Sequence, residues 1–171
     1  MNYFELFDIP VQLRVDIAPL HKKFFALSRQ FHPDYFVNAT PAEQAEALEK
    51  SALLNKAYKT FKNPDETIKY VLFEKGLLQE EEKYELPPDF LMEVLEINEQ
   101  LMDADHENTA NQVKLAIDRL QSEIYEPVQK TVENYQEGHT SQEELLRVKE
   151  YYYKKKYLDR IARELAEKKP A

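Results

Sequence analysis

The sequence contains no cysteine and only two glycines, Gly76 and Gly138, in 171 residues. Without cysteine there can be no disulfide, no thiolate metal site and no cysteine nucleophile. An all-β fold needs many turn glycines and a phosphate-binding loop needs several together, so both are disfavoured. No apolar stretch approaches the ~20 residues of a membrane-spanning helix. The composition, with 43% hydrophobic and 32% charged residues, instead favours a helix-rich globular chain.

The net charge of −9 is unevenly distributed. Residues 1–75 contain ten basic and ten acidic residues, which leaves 13 basic and 22 acidic residues for 76–171. An acidic second half argues against a nucleic-acid partner, because phosphate binding requires a basic surface. The opening MNYFELFDIP has neither a basic signal-peptide segment nor an Arg-rich amphipathic leader. These features predict a cytoplasmic protein without nucleic-acid or membrane partners; a processed organellar protein is the alternative.

Helix start and stop signals predict an all-α chain. Helices are expected over residues 16–31, 40–61, 63–76, 89–102, 108–137 and 141–168. Asp16 is expected to cap the first of these, and capping boxes begin at Thr40 and Ser141. Pro127 is expected to kink the fifth. The core stripe predicted for this fifth helix consists of Val113, Ile117, Leu120, Ile124, Val128 and Tyr135. The predicted organisation is an N-terminal helical-hairpin domain over residues 1–76, a charged linker over 77–87 and a C-terminal three-helix bundle over 88–171.

The first long helix carries one apolar stripe and one basic face. Leu20, Phe24, Leu27 and Phe31 recur at helical spacing. At about 100° per residue, Lys22 and Arg29 lie opposite that stripe, and Lys23 lies nearer its flank. The face is either a solvated surface or a docking surface for an acidic partner.

The stretch SRQFHPDYF follows at the end of this helix. A residue before proline is disfavoured in helical conformation, so His32 should end the helix, and Pro33 should stiffen the turn that presents Asp34. A docking tip, a plain helix stop and a His–Asp acid/base pair are all consistent with this pattern. A metal ligand is a further alternative, but the four histidines, His21, His32, His106 and His139, lack ligand spacing.

The helix over 89–102 is apolar on two faces. Phe90, Val94, Ile97 and Leu101 form a stripe suited to a core, while Leu91, Met92, Leu95 and Met102 gather elsewhere, beside Glu96 and Glu99. Such a helix either contacts two neighbours or offers its second face to a partner.

The last helix shows a similar pattern, with a broad core stripe that consists of Val148, Tyr151, Tyr152, Leu158, Ala162 and Leu165. Tyr153 and Tyr157 lie off its core stripe, next to Lys154, Lys155 and Lys156. Tyrosines on an outer face suit a recognition patch. The alternative is that they lie at the edge of the bundle, with an apolar ring covered and a hydroxyl in water.

Several motifs together resemble one family. His32-Pro33-Asp34 lies between a basic helix and ALLNKAYKTFKNP, after the opening NYFELFDIP and before KYVLFEKG. The chain is similar over its whole length to the HscB family of J-domain co-chaperones of iron–sulfur cluster assembly. It departs from the family pattern at Tyr35, where many J-domains have lysine, and at Thr67, where the family often has arginine.

The resemblance implies two partners, an ATP-loaded DnaK/HscA-type chaperone and an IscU-type scaffold protein, and no enzymatic activity, cofactor or metal of the chain's own. The implied chaperone-binding residues are Lys22, Lys23, Arg29, His32, Pro33 and Asp34. The implied scaffold-binding residues are Leu91, Met92, Leu95, Glu96, Glu99 and Tyr157.

Three other functions remain as alternatives. The protein could be a J-type recruiting factor for a different client. His32 and Asp34 could be a hydrolase pair, which would require intrinsic turnover and a pocket. The chain could also be a helical assembly protein in which His-Pro-Asp is incidental.

Overall fold

The computed structural model describes residues 1–102 and 107–168, and within these ranges the chain is helical with no strand. Its α-helices are α1 (Tyr3–Phe7), α2 (Ile17–Gln30), α3 (Pro41–Lys62), α4 (Pro64–Glu74), α5 (Pro88–Met102), α6 (Glu107–Tyr125), α7 (Gln129–Glu133) and α8 (Gln142–Lys168). Two 3-10 helices span Pro33–Phe36 and Glu126–Val128. The predicted all-α class is confirmed.

The described residues form two compact units. Unit 1 contains Met1–Lys75 and Val132–Thr140, and unit 2 contains the described parts of Gly76–Thr131 and Ser141–Ala171. The domain limits of 1–76, 77–87 and 88–171 remain a prediction.

Unit 1 is built on the antiparallel hairpin of α2 and α3, with α1 packed against both and α4 against α3. Phe61 is 2% exposed and lies at the centre of an aromatic cluster. Its ring centroid is 4.8 Å from that of Phe4 and 5.6 Å from that of Phe7. Phe24 stacks on Tyr58 at 3.9 Å, which joins the two helices of the hairpin. This packing fixes α2 and therefore the position of the loop that follows it.

Local capping agrees with the sequence signals at three of four starts. The Thr40 hydroxyl accepts a hydrogen bond from the Glu43 amide, and the Asn63 side chain accepts from the first amides of α4. Ser141 and Glu144 form a reciprocal capping box at α8. The predicted cap at Asp16 is wrong in one respect: the residue occupies the N-cap position, but its side chain makes no capping hydrogen bond.

Unit 2 is a bundle of α5, α6 and α8. Its core includes the predicted rows of α5 and α6, all at most 8% exposed: Phe90, Val94, Ile97, Val113, Ile117, Leu120, Ile124 and Val128. The side chain of Leu101, predicted to continue the α5 row, lies outside the described residues. From α8 the core takes Leu145 and Ile161, which the predicted stripe omitted, while the predicted Ala162 is only half-buried.

Pro127 has a larger effect than the predicted kink. It ends α6 at Tyr125, and the chain passes through a 3-10 turn into the short α7. Proline has no amide hydrogen to donate and its ring crowds the preceding turn, so the α-helical ladder is interrupted. Helix α7 then ends at Glu133. Tyr135, which was predicted on the core stripe, lies beyond that end and is half-buried.

The stretch predicted as a linker is packed within unit 2. Leu78 is 2% exposed, and the Tyr84 ring stacks on that of Tyr153 at 4.6 Å. The Glu82 carboxylate pairs with the Lys149 ammonium at 2.7 Å. This hydrogen bond lowers the pKa of Glu82, since it stabilises the charged carboxylate.

Candidate functional site

The first candidate surface is the loop between α2 and α3. Phe31 ends the helix, with its amide donating to the Leu27 carbonyl at 3.0 Å. His32 is extended, with φ −63° and ψ 133°, and Pro33 opens the 3-10 helix. The predicted end of the helix before the proline is thus confirmed, and Pro33, with its fixed φ, occupies the first position of the turn. We call His32, Pro33 and Asp34 the HPD tip.

Within the HPD tip, the Asp34 amide donates a hydrogen bond to Nδ1 of His32 at 3.2 Å. An Nδ1 that accepts must be unprotonated, so the neutral ring carries its proton on Nε2. The Asp34 carboxylate lies 3.5 Å from the same nitrogen. The two side chains are 55% and 86% exposed. A pair this open to solvent favours contact with a partner over a hydrolase role, since a hydrolase base needs an enclosed substrate site.

The basic residues of α2 divide into two groups. Lys22 and Arg29 are exposed. Lys23 is half-buried, and its ammonium donates to the carbonyls of Asp8 at 2.8 Å and Phe7 at 3.3 Å. Those carbonyls lie at the C-terminal end of α1, where a cation is favourable. Lys23 therefore has a structural role in fixing α1 on α2, whereas Lys22 and Arg29 remain available to a partner.

A shallow hollow of about 440 Å³ lies beside the HPD tip. It brings together three of the predicted chaperone-binding residues with three others: Phe25, Ser28, Arg29, His32, Asp34 and Tyr35. The aromatic rings of this set are largely uncovered, Phe25 being 51% and Tyr35 72% exposed. Phe25 was given no site role from the sequence. The signal that could have identified it is its position as an aromatic residue off the apolar stripe of its own helix.

The second candidate surface is the outer face of α5, which we define as Leu91, Met92, Leu95, Glu96 and Glu99. The three apolar members are 40%, 67% and 57% exposed, and both glutamates are exposed. The inward row of the same helix, Phe90, Val94 and Ile97, is at most 6% exposed. This contrast disagrees with the alternative in which neighbouring helices cover both faces.

Of the two interpretations left open for the tyrosines of α8, the structure favours a position at the edge of the bundle over an uncovered patch. Tyr153 is half-buried under Tyr84, and Tyr157 is half-buried on a different helix from the outer face of α5. The adjacent lysines are partly engaged as well. Lys154 lies 5.5 Å from the Phe90 ring centroid, and the Lys155 ammonium is 3.0 Å from the Asp159 carboxylate. Contacts within the bundle therefore engage several of the side chains of residues 153–157.

Within residues 1–102 and 107–168, no group of three or more potential metal-ligating side chains is close enough to hold an ion. His106, one of the four histidines considered above, lies outside the described residues. Over the same ranges, none of the helices combines the length and apolar character needed to cross a membrane.

Comparisons with known proteins agree on one family. Residues 86–166 match the family model described as the HSCB C-terminal oligomerisation domain. The co-chaperone protein HscB homolog of Vibrio vulnificus (strain CMCP6) is 36% identical over 134 residues, 78% of each chain. A homologue from Vibrio cholerae (strain N16961) is 40% identical over 102 residues, 59% of this chain and 60% of its own.

Solved structures resemble the whole chain. The crystal structure of the human co-chaperone protein HscB superimposes with a TM-score of 0.80 at 30% identity, covering 98% of this chain and 82% of that one. The chaperone HscB from Vibrio cholerae gives 0.73 at 29% identity, covering 98% and 96%. The similarity in sequence and in fold extends over both units, and the chain belongs to the HscB family of J-domain co-chaperones.

Proposed function

We propose that this protein stimulates the ATPase of a DnaK/HscA-type chaperone and delivers an IscU-type scaffold protein to it during iron–sulfur cluster assembly and transfer. The observation that carries the proposal is the HPD tip. His32 and Asp34 project from a turn held by Pro33, beside a helix whose Lys22 and Arg29 are free to meet an acidic surface. The protein acts on the chaperone as a ligand and performs no hydrolysis itself.

The HPD tip supports a trigger role because its geometry is set before the partner arrives. The hydrogen bond from the Asp34 amide occupies Nδ1 of His32 and leaves Nε2 as the ring donor for a partner, while the Asp34 carboxylate is an exposed acceptor. The turn that presents the two residues is already formed, which reduces the conformational entropy lost on binding. To accelerate hydrolysis, this surface must bind the ATP state of the chaperone better than the ADP state, which shifts the chaperone toward closure on its client.

The outer face of α5 supports a role in holding the scaffold. A patch of three exposed apolar side chains edged by two carboxylates is costly to leave in water and suits a partner with a matching apolar centre and basic rim. Tyr157 is included in the proposed scaffold site through the family resemblance. Its half-buried position makes it a smaller contributor than Met92 or Leu95.

The experiment that tests the proposal is single-turnover ATP hydrolysis by HscA or DnaK from the same cell. The chaperone is measured alone, with this protein, with the scaffold and with both. We expect strong joint stimulation that is abolished by His32→Gln. His139→Gln provides the matched control, because His139 is also exposed but lies outside the HPD tip.

The outcomes separate the alternatives. Stimulation without any effect of the scaffold would retain the J-type role and assign a different client. Hydrolysis by this protein alone would favour the His32–Asp34 enzyme pair. Failure to stimulate either chaperone would contradict the proposal.

A further inference from the structure

The hollow beside the HPD tip contains an apolar surface that the proposed trigger role does not use. Phe25 is 51% exposed on α2, although the core stripe of that helix includes Phe24 immediately before it. Its ring meets that of His21 edge-on at 4.5 Å. Tyr35 approaches from the 3-10 turn and is 72% exposed. Exposed aromatic rings grouped in a concave surface are typical of an interaction site.

The charges around the rings restrict what can occupy the hollow. Arg29 lines it and is four residues after Phe25, so the two side chains are about 40° apart on the helix. Lys22 is exposed on the same side of α2, seven residues before Arg29. An occupant therefore needs an apolar side chain for the rings and a neighbouring carboxylate for the guanidinium.

The hollow is also continuous with the HPD tip, since His32 and Asp34 line it. Phe25 and Tyr35 line the same hollow, so they are adjacent to any surface that contacts these two residues. We propose, resting on the function proposed above, that these two rings receive an apolar side chain of the ATP-state chaperone whose neighbouring carboxylate pairs with Arg29. In this arrangement the rings set how tightly the chaperone is held, and the HPD tip sets how fast it hydrolyses ATP.

The two roles make separable predictions in a titration of chaperone ATPase against this protein. Phe25→Ala should raise the half-saturating concentration at least about fivefold, equivalent to about 1 kcal/mol of binding free energy, and leave maximal stimulation unchanged. Tyr35→Ala, on a different element, should act in the same direction. His32→Gln should instead remove the maximal stimulation.

Phe73→Ala is the matched control. Phe73 is the same residue type, is 49% exposed and lies on α4, outside the hollow. Its substitution should leave both the half-saturating concentration and the maximum unchanged. Thermal unfolding of each variant checks that the fold is retained, and Tyr35→Ala keeps the test valid if Phe25→Ala unfolds.

The possible failures are distinguishable. If wild-type protein stimulates neither chaperone, the proposed function itself fails. If it does stimulate one, but Phe25→Ala and Tyr35→Ala titrate like Phe73→Ala, the role of the hollow is overturned and the proposed function stands. If sedimentation shows a wild-type dimer that Phe25→Ala dissociates, with chaperone titration unchanged, the hollow belongs to a second copy of this chain and the inference is also overturned.

Discussion

The backbone amide of Asp34 donates a hydrogen bond to Nδ1 of His32, at 3.2 Å. The sequence motif presents His32 and Asp34 as a possible acid/base pair, but the hydrogen bond between them comes from the main-chain amide of Asp34. The Asp34 carboxylate, 86% exposed, remains available for an outside partner. This separates the structural contribution of Asp34, made by its amide, from its chemical contribution, made by its charge.

The separation leads to a prediction for Asp34→Asn. The substitution retains the amide hydrogen bond and the side-chain volume but removes the negative charge. We expect ATPase stimulation to fall about tenfold or more, the effect of losing a charge-assisted contact worth about 1.4 kcal/mol, with no change in the thermal midpoint. Asp118→Asn, at an exposed aspartate of α6, is the control. Unchanged stimulation by Asp34→Asn would mean that the carboxylate is not recognised.

The outer face of α5 makes a prediction about scaffold binding. Leu95→Ala should weaken binding of the IscU-type scaffold about tenfold, because Leu95 is central to that face and 57% exposed. Stability should change little, since a side chain this exposed contributes little burial in the free protein. Isothermal titration calorimetry gives the dissociation constants.

Leu115→Ala is the comparison for Leu95→Ala. Leu115 is 68% exposed on α6, so its truncation removes a similar amount of uncovered apolar surface away from the proposed site. Equal losses for the two variants would indicate a general dependence on surface hydrophobicity and would count against the outer face of α5.

A third prediction concerns the ion pair between Lys75 and Glu137 in unit 1. The hydrogen bond from the Lys75 ammonium, followed by one from the Tyr135 hydroxyl, lowers the pKa of Glu137 below its ordinary 4.5. Burial is the largest single influence on the pKa of Lys75 and lowers it, but the hydrogen bonds with Glu137 and Tyr135 and the charges of these two groups together outweigh burial and leave that pKa above 10.5. Stability from the carboxylate is present above pH 4.5 and is lost as pH falls through the depressed folded-state value.

The Lys75 ammonium stabilises the fold fully below pH 10.5, and this contribution is lost as pH rises through the raised pKa of Lys75. Both charged groups therefore stabilise the fold at pH 7. Glu137→Gln should lower the free energy of unfolding there by about 0.5 kcal/mol, a small effect because the pair is partly exposed. The difference from wild type should shrink as pH falls from 7 toward 3. Urea unfolding measures it, with Glu49→Gln on α3 as the control. A constant difference across this range would refute the assignment.

The fourth prediction tests a buried hydroxyl. Thr67 is fully buried, and its hydroxyl is 3.0 Å from the carbonyls of both Thr60 and Asn63. Thr67→Val keeps the shape but leaves the carbonyls of Thr60 and Asn63 with one partner fewer each in a partly buried turn. We expect a loss of about 1–2 kcal/mol in the free energy of unfolding, measured by urea denaturation. A loss below about 0.3 kcal/mol would show that water replaces the hydroxyl.

Thr67 also shows where sequence reasoning was limited. From the sequence it was noted only as a departure from the family pattern, but in the structure its hydroxyl joins α4 to the end of α3 through their shared turn. Burial of this kind depends on the crossing of two helices and leaves no periodic signal. The same holds for Lys23, whose ammonium meets carbonyls of α1 fifteen and sixteen residues earlier in the chain.

Periodic features were predicted well. The row Val113, Ile117, Leu120 and Ile124 is buried as expected, because a regular apolar stripe has no other way to leave water. Leu91, Met92 and Leu95 were identified as surplus apolar residues, and they are exposed. For Tyr153 the sequence could not decide between a recognition patch and a bundle-edge position, because its cover, Tyr84, comes from an irregular segment that leaves no periodic signal.

The composition of unit 1 has a practical consequence for dividing this chain. The chain leaves the unit after Lys75 and returns to it for residues 132–140. A fragment cut anywhere between residues 77 and 87 would look like a complete J-domain in sequence, yet Arg14 and Lys75 would have lost Glu133 and Glu137. The stability and surface charge measured for such a fragment would differ from those of unit 1. Comparisons of the excised domain with other J-domains should therefore use a fragment that also includes the nine residues 132–140.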